Sequence, residues 1–133
     1  MKYLIGVAIV LSTSAQAAPQ DSMCLSKAIY AESNTEPLAG QMLVGKVVLN
    51  RAKKSGKDVC SVVKARKQFS FYKGGRLAKY SSNDITDKLA KKLLAQETTT
   101  SYTHFYHVNV KPAWRTSCRN KQRVGKHIYC TIK

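Results

Sequence analysis

The feature that most constrains the fold is a helical pattern over residues 35–54 that is apolar on most of its sides. Pro37 suits the first turn of such a helix, where its missing N–H leaves no bond unmade, and Ser55-Gly56 is a typical stop. A helix that is apolar nearly all round is buried by its neighbours. A chain of 133 residues has room for one domain with a real core, so this helix is predicted to be its centre.

The other predicted elements change from helices to strands along the chain. They are helices 21–33, 59–65 and 83–98, a loop or short strand at 68–72, a loop at 76–82, and strands 103–108 and 124–132 with a long connection between them. On the last helix, Ile85, Leu89, Leu93 and Leu94 are predicted to face inward. Four helices followed by a small antiparallel hairpin or sheet indicate a single-domain α+β fold.

Glu32 occupies an unusual position for a carboxylate. It follows Leu25, Ala28 and Ile29 at helical spacing, so it extends their apolar stripe rather than a solvent-facing side. It also lies near the predicted end of that helix, where the negative end of the dipole opposes ionisation. Both effects raise the pKa of the carboxyl, as suits a general acid near neutral pH. The alternative is a half-buried carboxylate paired with a Lys or Arg side chain.

A second carboxylate, Glu36, lies four residues after Glu32. Glycoside hydrolysis usually employs two carboxylates that flank the scissile bond, so the pair is one possible catalytic arrangement. The other is a single acid acting with a hydroxyl of the substrate as internal nucleophile. Glu36 is also explained by the preference of helix N-termini for negative charge.

The three histidines offer bases or metal ligands. His104 and His107 are three apart on a predicted strand and point to opposite faces, which disfavours a shared metal. His127 is a candidate for acid–base work or for a structural role on the last strand. The sequence contains no motif for a metal site, a phosphate loop or a Ser or Cys nucleophile, so neither a metal nor a cofactor is expected.

Amide and aromatic side chains are candidates for the lining of a glycan groove, because sugar rings stack on aromatic faces and hydrogen-bond to amides. They are Gln68, Phe69, Tyr72, Tyr106 and Trp114. The same residue types are equally typical of a core and its rim.

Residues 1–17 are predicted to be a secretory signal peptide. Lys2 precedes an apolar run from Leu4 to Leu11, and Ala15-Gln16-Ala17 fits the small-x-small cleavage rule. The run is too short to span a bilayer as a helix. We therefore predict cleavage after Ala17, a mature domain of residues 18–133, and a location in a periplasm or outside the cell. An uncleaved N-terminal anchor is the alternative.

Cys24, Cys60, Cys118 and Cys130 all lie after this segment. In an exported chain an even number of cysteines predicts disulfides, here two, and three pairings are possible. We favour Cys118–Cys130, which would close the C-terminal segment, together with Cys24–Cys60, which would tie the first helix to the third. Buried free thiols are the alternative.

The formal net charge is +16, from 23 Lys and Arg against seven Asp and Glu. Removal of residues 1–17 removes Lys2 and no acid, which leaves +15. Because the basic residues are spread along the chain, they predict a charged surface that attracts polyanions such as nucleic acid, anionic lipid or the anionic polymers of cell envelopes. The charge does not choose among these partners, and solubility alone also accounts for such a surface.

The chain carries a series of short motifs in a fixed order, which are Tyr30-Ala31-Glu32-Ser33, Glu36, Gly40-Gln41, Val48-Leu49-Asn50-Arg51, Gln68-Phe69-Ser70, His104-Phe105-Tyr106, Trp114 and Gly125-Lys126-His127. Together these motifs resemble the SleB-like cell-wall hydrolases, a family named after spore cortex-lytic enzymes. They follow the family's order over residues 24–130. One departure is Phe71, where the family often has Trp after the serine.

The resemblance implies a compact lysozyme-like domain that cleaves the glycan strands of peptidoglycan. It places the family's catalytic acid on Glu32, acting alone as acid and then base, as in a lytic transglycosylase. The residues that it implies as lining or supporting the groove are Glu36, Gln68, Phe69, Ser70, Tyr106, Trp114 and His127. The positive surface would then hold the enzyme on anionic envelope polymers.

Three other functions remain open from the sequence. A muramidase-type hydrolase would use a second carboxylate, with Glu36 the first candidate. A small secreted basic ribonuclease would use Glu32 and His127 as an acid–base pair and would leave purified wall intact. A non-enzymatic cationic envelope-binding protein would keep its action after Glu32→Gln. The chain is expected to act as a monomer, with no membrane span after cleavage of the signal peptide.

Overall fold

The computed structural model of the chain describes residues 5–9, 19–65, 69–96 and 100–133. Within these residues the chain forms four α-helices, two short 3-10 turns and one three-stranded antiparallel sheet, which confirms the predicted α+β class. The elements are α1 (Pro19–Ser33), α2 (Leu38–Ser55), α3 (Val59–Lys64), a 3-10 turn (Leu77–Lys79), α4 (Asp84–Ala95), β1 (His104–His107), a 3-10 turn (Ala113–Ser117), β2 (Arg119–Val124) and β3 (His127–Thr131). In the part of the chain described, no helix is long and apolar enough to cross a membrane.

Helix α2 lies in the core and packs against α1, α3, α4 and β1, but it shares the centre of the fold with α1, whose contacts with the other helices are more extensive than predicted. Val44, Val47 and Val48 are fully buried, and burying each such side chain contributes about 1.5–3 kcal/mol. Gly45 marks the closest approach, since a Cβ built there would contact Leu93 of α4 and lie 3.0 Å from Cδ1 of Ile29 on α1. The helix begins one residue after Pro37, and Gly56 ends it in the left-handed conformation with φ 65°. Three helices thus meet at one glycine.

The cap of α4 explains why one predicted core residue is exposed. Asn83 accepts a hydrogen bond from the backbone N–H of Thr86, and the Thr86 side chain accepts one from the Asn83 N–H. This capping box fixes the phase of the helix with Thr86, rather than Ile85, on the stripe that faces α1. The prediction that Ile85 faces inward is therefore wrong, since its side chain is 55% exposed. The helix also ends at Ala95, earlier than predicted, where Gln96 becomes extended.

The sheet corrects the prediction of two strands separated by a long connection. Its order is β1-β3-β2, with His104 opposite Cys130 and His107 opposite His127. The predicted strand 124–132 is interrupted by a tight turn, because Gly125 adopts φ 58° directly after Val124 ends β2. Strand β2 lies within the segment predicted as a connection, and its pattern is polar because five of its six residues are exposed.

Two disulfides join distant parts of this fold, in the pairing that we favoured. Cys24–Cys60 links α1 to α3, with a Cα–Cα distance of 5.2 Å. Cys118–Cys130 links the residue before β2 to β3, with a Cα–Cα distance of 5.3 Å. The covalent links therefore fix both the helical layer and the sheet.

Candidate active site

Glu32 lies in the last turn of α1, half-buried beside three side chains that are fully buried, Leu25, Ala28 and Ile29. Burial raises the pKa of its carboxyl above the usual 4.5, and the Arg51 guanidinium partly opposes that rise. The predicted direction of the shift is thus confirmed. The alternative of a half-buried carboxylate beside a cation describes the same geometry, because Arg51 is that cation.

The Glu32 side chain opens into a cavity of about 350 Å³, within the range of about 300–1,000 Å³ that small-molecule sites occupy. Its described lining consists of Glu32, Arg51, Phe69, Ser70, His104, Phe105 and Trp114. Glu32 is the one carboxylic acid among these described lining residues. The cavity therefore combines a single weak acid with two cationic or imidazole groups, a hydroxyl and three aromatic rings.

Arg51 connects three walls of this cavity. Its Nε donates a hydrogen bond of 2.6 Å to the carbonyl of Thr103, just before β1. Its guanidinium lies 5.1 Å from the centroid of the Phe69 ring, a cation–π distance. Burial lowers the pKa of Arg51, and the carboxylate of Glu32 raises it. Arg51 thus fixes the positions of α2, β1 and the Phe69 loop around the carboxyl.

Sequence reasoning did not single out Arg51 as a site residue, although the signal was present. Arg51 follows Val44 and Val48 at helical spacing, on the buried stripe of α2. A charged residue that extends an apolar stripe was the argument for Glu32, and it applies to Arg51 in the same way.

His104 is a further wall residue that the sequence did not identify as part of the site. Burial, aided by the positive charges of Arg51 and Lys54, lowers its pKa to about 4. The imidazole is therefore neutral at neutral pH, with Nδ1 2.8 Å from the Thr103 hydroxyl. A neutral His104 contributes a polar wall and does not compete with Glu32 as proton donor.

Trp114 gives the cavity a partly exposed aromatic face. Its indole is 37% exposed, and its centroid lies 5.0 Å from that of His104. Tyr106 contacts Trp114 edge-on at 5.6 Å but is not among the described residues that line the cavity. Tyr106 therefore packs against Trp114 without lining the cavity itself.

The structure describes two of the three residues of the predicted Gln68-Phe69-Ser70 motif. Phe69 and Ser70 line the cavity, while Gln68 lies outside the described residues. The next two residues turn away, because Phe71 and Tyr72 pack against Tyr80 at 5.5 and 5.7 Å. Tyr72, a candidate for the groove, lies in that aromatic cluster instead.

Glu36 and His127 come together, but at a different place from the Glu32 cavity. The Glu36 carboxylate accepts hydrogen bonds from the backbone N–H of Lys126, at 2.9 Å to Oε1 and 3.3 Å to Oε2. Nδ1 of His127 lies 3.4 Å from Oε1, and both side chains are less than 10% exposed. This cluster ties the α1–α2 connection to the β2–β3 turn.

The pair of Glu36 and His127 is separated from the cavity by one aromatic ring, that of Phe105. The centroid of Phe105, a lining residue, lies 5.2 Å from the imidazole of His127. Burial lowers the pKa of His127, the Glu36 carboxylate opposes this shift, and His107 adds to it.

The rings of His104 and His107 lie against different neighbours, Trp114 and His127, as their predicted opposite faces require. Within the described residues, no three His, Cys, Asp or Glu side chains form a group that could hold a metal ion.

Comparisons with known proteins converge on one description. A family model described as Cell Wall Hydrolase matches residues 35–130, beginning three residues after Glu32. The spore cortex-lytic enzyme of Halalkalibacterium halodurans is 28% identical over 115 residues, which are 83% of this chain and 34% of that relative. The chain thus spans about a third of the length of the curated relative that it matches.

Two solved structures share the fold. The catalytic domain of the germination-specific lytic transglycosylase SleB from Bacillus anthracis matches with a TM-score of 0.75 at 22% identity, over 90% of this chain and 100% of that domain. The catalytic domain of the Bacillus cereus SleB protein matches with a TM-score of 0.67 at 21% identity, over 90% and 99%. At these identities the likeness is one of fold.

Proposed function

We propose, since this chain belongs to the cell wall hydrolase family, that it cleaves the glycan strands of peptidoglycan, with Glu32 as its general acid and base. The observation that carries the proposal is the half-buried carboxyl of Glu32, whose pKa is raised and which lines an aromatic cavity. A carboxyl with a raised pKa remains protonated to a higher pH, as a proton donor to a glycosidic oxygen requires.

In the first step, protonated Glu32 donates its proton to the oxygen that links N-acetylmuramic acid to the next sugar. The bond between that oxygen and the anomeric carbon breaks, and positive charge develops on the sugar ring. The leaving sugar departs with the proton as a free hydroxyl. Glu32 becomes a carboxylate, and the Arg51 cation stabilises this charged form.

In the second step, the Glu32 carboxylate removes the proton from the 6-hydroxyl of the same muramic acid. The hydroxyl oxygen attacks the anomeric carbon and closes a 1,6-anhydro ring, while Glu32 regains its proton. No water is consumed, so one carboxyl is sufficient. This is the lytic transglycosylase reaction.

The described lining favours this one-acid route over a two-carboxylate hydrolase. Inverting and retaining hydrolases place a second carboxylate about 5–9.5 Å from the first, across the scissile bond. Glu36, the candidate second acid, is engaged with the Lys126 N–H and His127 at the β2–β3 turn. These contacts support a structural role, in which Glu36 holds the α1–α2 connection against the β2–β3 turn.

The remaining candidate residues divide into two groups in this proposal. Phe69, Ser70 and Trp114, which line the cavity, contact the sugar rings. Tyr106, Glu36 and His127 support the groove from outside the cavity, and Gln68 is retained as a contact from its place in the motif. Truncating a contact residue should therefore weaken substrate binding more than truncating a supporting one.

Export and attachment to the envelope complete the proposal. Two disulfides suit an oxidising compartment, so residues 1–17 are proposed as the signal peptide and residues 18–133 as the catalytic domain. The net charge of +15 that remains after this cleavage attracts the enzyme to anionic envelope polymers. Mass spectrometry of the protein secreted by a producing cell tests the cleavage site.

The decisive experiment is digestion of purified peptidoglycan by the wild type and by Glu32→Gln, followed by mass spectrometry of the fragments. We expect 1,6-anhydro ends from the wild type and a loss of about 10²–10⁴-fold in rate from the variant, the usual contribution of a general acid. Reducing ends, one water heavier, would replace this mechanism by hydrolysis with a second carboxylate. Equal rates for both proteins would remove Glu32 from the chemistry.

A further inference from the structure

A second cavity lies directly beside the Glu32 cavity. Its volume is about 360 Å³, and it shares Arg51 and His104 with the first cavity as lining residues. The two spaces therefore lie on either side of one wall. The second cavity is therefore adjacent to the space in which the proposed function places a sugar.

The second cavity is basic. Lys54 and Lys57 line it together with Arg51, and no carboxylate is among its described lining residues. Lys54 donates one hydrogen bond of 3.2 Å to the Ile132 carbonyl, and two of its three N–H donors make no bond to any described residue. Lys57 is exposed and, within the described chain, makes no ion pair. Val62 gives the cavity a buried apolar floor.

The electrostatic effect of these cations is visible at the shared wall. Arg51 and Lys54 both lower the pKa of His104, after burial. Arg51 shares its charge with the neighbouring Glu32 carboxyl, but Lys54 adds further positive charge at this wall, and an anion placed there would interact favourably with it. The positive potential from these lining residues is local to the cavity and adds to the general positive charge of the surface.

We propose that the cavity of Lys54 and Lys57 is a subsite for an anionic substituent of the glycan strand, in the first place the carboxylates of the peptide stem. The inference rests on the proposed function. The sugar rings of the strand carry no charge, whereas the lactyl group of muramic acid carries a peptide with free carboxylates. At about 3.3–3.6 Å per residue, one or two stem residues reach from the ring to a neighbouring cavity. Phosphate of a polymer attached to the strand has the same chemistry.

A subsite of this kind would make the enzyme prefer peptide-bearing strands over bare ones. Exposed lysines contribute little each, so the expected effect of removing both charges is about fivefold in rate. Lys54 also lies in the last turn of α2, where a cation stabilises the helix dipole, so a stability effect must be separated from binding.

The test compares Lys54→Gln/Lys57→Gln with a matched control, Lys88→Gln/Lys92→Gln, on three substrates. The control removes two exposed charges from α4, one of them also in a last helical turn. The substrates are peptidoglycan stripped of attached anionic polymers, the same material after an amidase has removed its stems, and unstripped peptidoglycan. Thermal unfolding of both variants shows whether each is folded at the assay temperature.

We expect the first variant to be about fivefold slower than the control on stripped peptidoglycan and equal to it on stem-free strands. A deficit on unstripped material alone would support the anionic subsite and assign it to phosphate. Equal rates of the two variants on every substrate, or an equal deficit on stem-free strands, would overturn the subsite while leaving the proposed function intact. Failure of the wild type to cleave any substrate would overturn both.

Discussion

Glu32 on α1 and Arg51 on α2 influence each other's ionisation in opposite directions. The cation lowers the pKa of the carboxyl, and the carboxyl raises the pKa of the guanidinium. For both groups burial is the larger influence, so the pKa of Glu32 remains raised and that of Arg51 remains lowered. Arg51 therefore limits how weak an acid Glu32 becomes, in addition to positioning the walls of the cavity.

The first prediction concerns the pH dependence of cleavage. A general acid must be protonated in the free enzyme, so kcat/KM falls as the pH rises through the pKa of Glu32. Arg51→Gln removes the cation that lowers this pKa, and the high-pH limb of the profile should move to higher pH. Arg51→Lys keeps the charge and should leave the limb near its wild-type position. A limb that moves to lower pH in Arg51→Gln would contradict the assignment.

The second prediction concerns stability and follows from the same shift. Because the pKa of Glu32 is raised on folding, the folded state binds more protons than the unfolded state at pH values between the ordinary and the raised pKa. Stability is then lost as the pH rises through this window. Glu32→Gln, which mimics the protonated form, should have a higher Tm than the wild type at pH 7. The difference should vanish below the ordinary pKa, and a difference that persists there would point to another cause.

The third prediction separates backbone strain from the Glu36 contact. Gly56 and Gly125 both have positive φ, at 65° and 58°, but only at Gly125 would a Cβ collide with the Glu36 carboxylate. Gly56→Ala should cost about 1–2 kcal/mol in free energy of unfolding from strain alone. Gly125→Ala should cost about 1–3 kcal/mol more, because it displaces a hydrogen-bonded carboxylate.

Urea denaturation of both glycine variants, alone and in a Glu36→Ala background, measures this difference. The excess cost of Gly125→Ala should shrink when Glu36 is absent, and the remainder should reflect Pro37, whose Cδ lies 3.0 Å from the added Cβ. An excess that is unchanged by the loss of Glu36 would mean that the turn is strained for a different reason.

The fourth prediction compares the two disulfides. Cys24–Cys60 closes a segment with a sequence separation of 36, and Cys118–Cys130 one of 12. On the loop-entropy argument, removing the first by Cys→Ala at both ends should cost about 4 kcal/mol and removing the second about 3 kcal/mol. Denaturation of the two double variants under oxidising conditions measures which loss in free energy of unfolding is larger. A larger loss from removing Cys118–Cys130 would mean that native contacts outweigh chain entropy.

The fifth prediction concerns attachment to the wall. If the positive surface holds the protein on anionic polymers, sedimentation with purified wall should fall sharply as salt rises from about 0.01 M to 1 M, over which the Debye length shrinks from about 30 to 3 Å. Glu32→Gln should bind like the wild type, because the field comes from the whole surface. Binding that does not respond to salt would contradict the electrostatic account.

The sequence predicted the parts of the site that depend on local periodicity. Glu32 was identifiable because Leu25, Ala28 and Ile29 define one helical stripe, and the helix containing Arg51 was recognisable for the same reason. Phe69, Ser70 and Trp114 were recognisable from the order of motifs, and all three line the cavity.

The parts that depend on distant partners were not predictable in this way. Strand β2 has an almost wholly polar sequence because its side chains are exposed, and only pairing with β3 makes it a strand. The engagement of Glu36 with Lys126 joins residues 90 apart. Ile85 was misplaced because the hydrogen bonds of a cap, and not hydrophobicity, set the phase of α4.

The pairing of β1 with β3 has a consequence for when activity appears. His104 and Phe105 line the cavity from β1, and β1 is paired along its length with β3, whose last residue is Thr131. A nascent chain that ends before β3 has Glu32 on α1 but lacks the strand with which β1 pairs. The wall that His104 and Phe105 give the cavity is therefore completed only once β3 has been made.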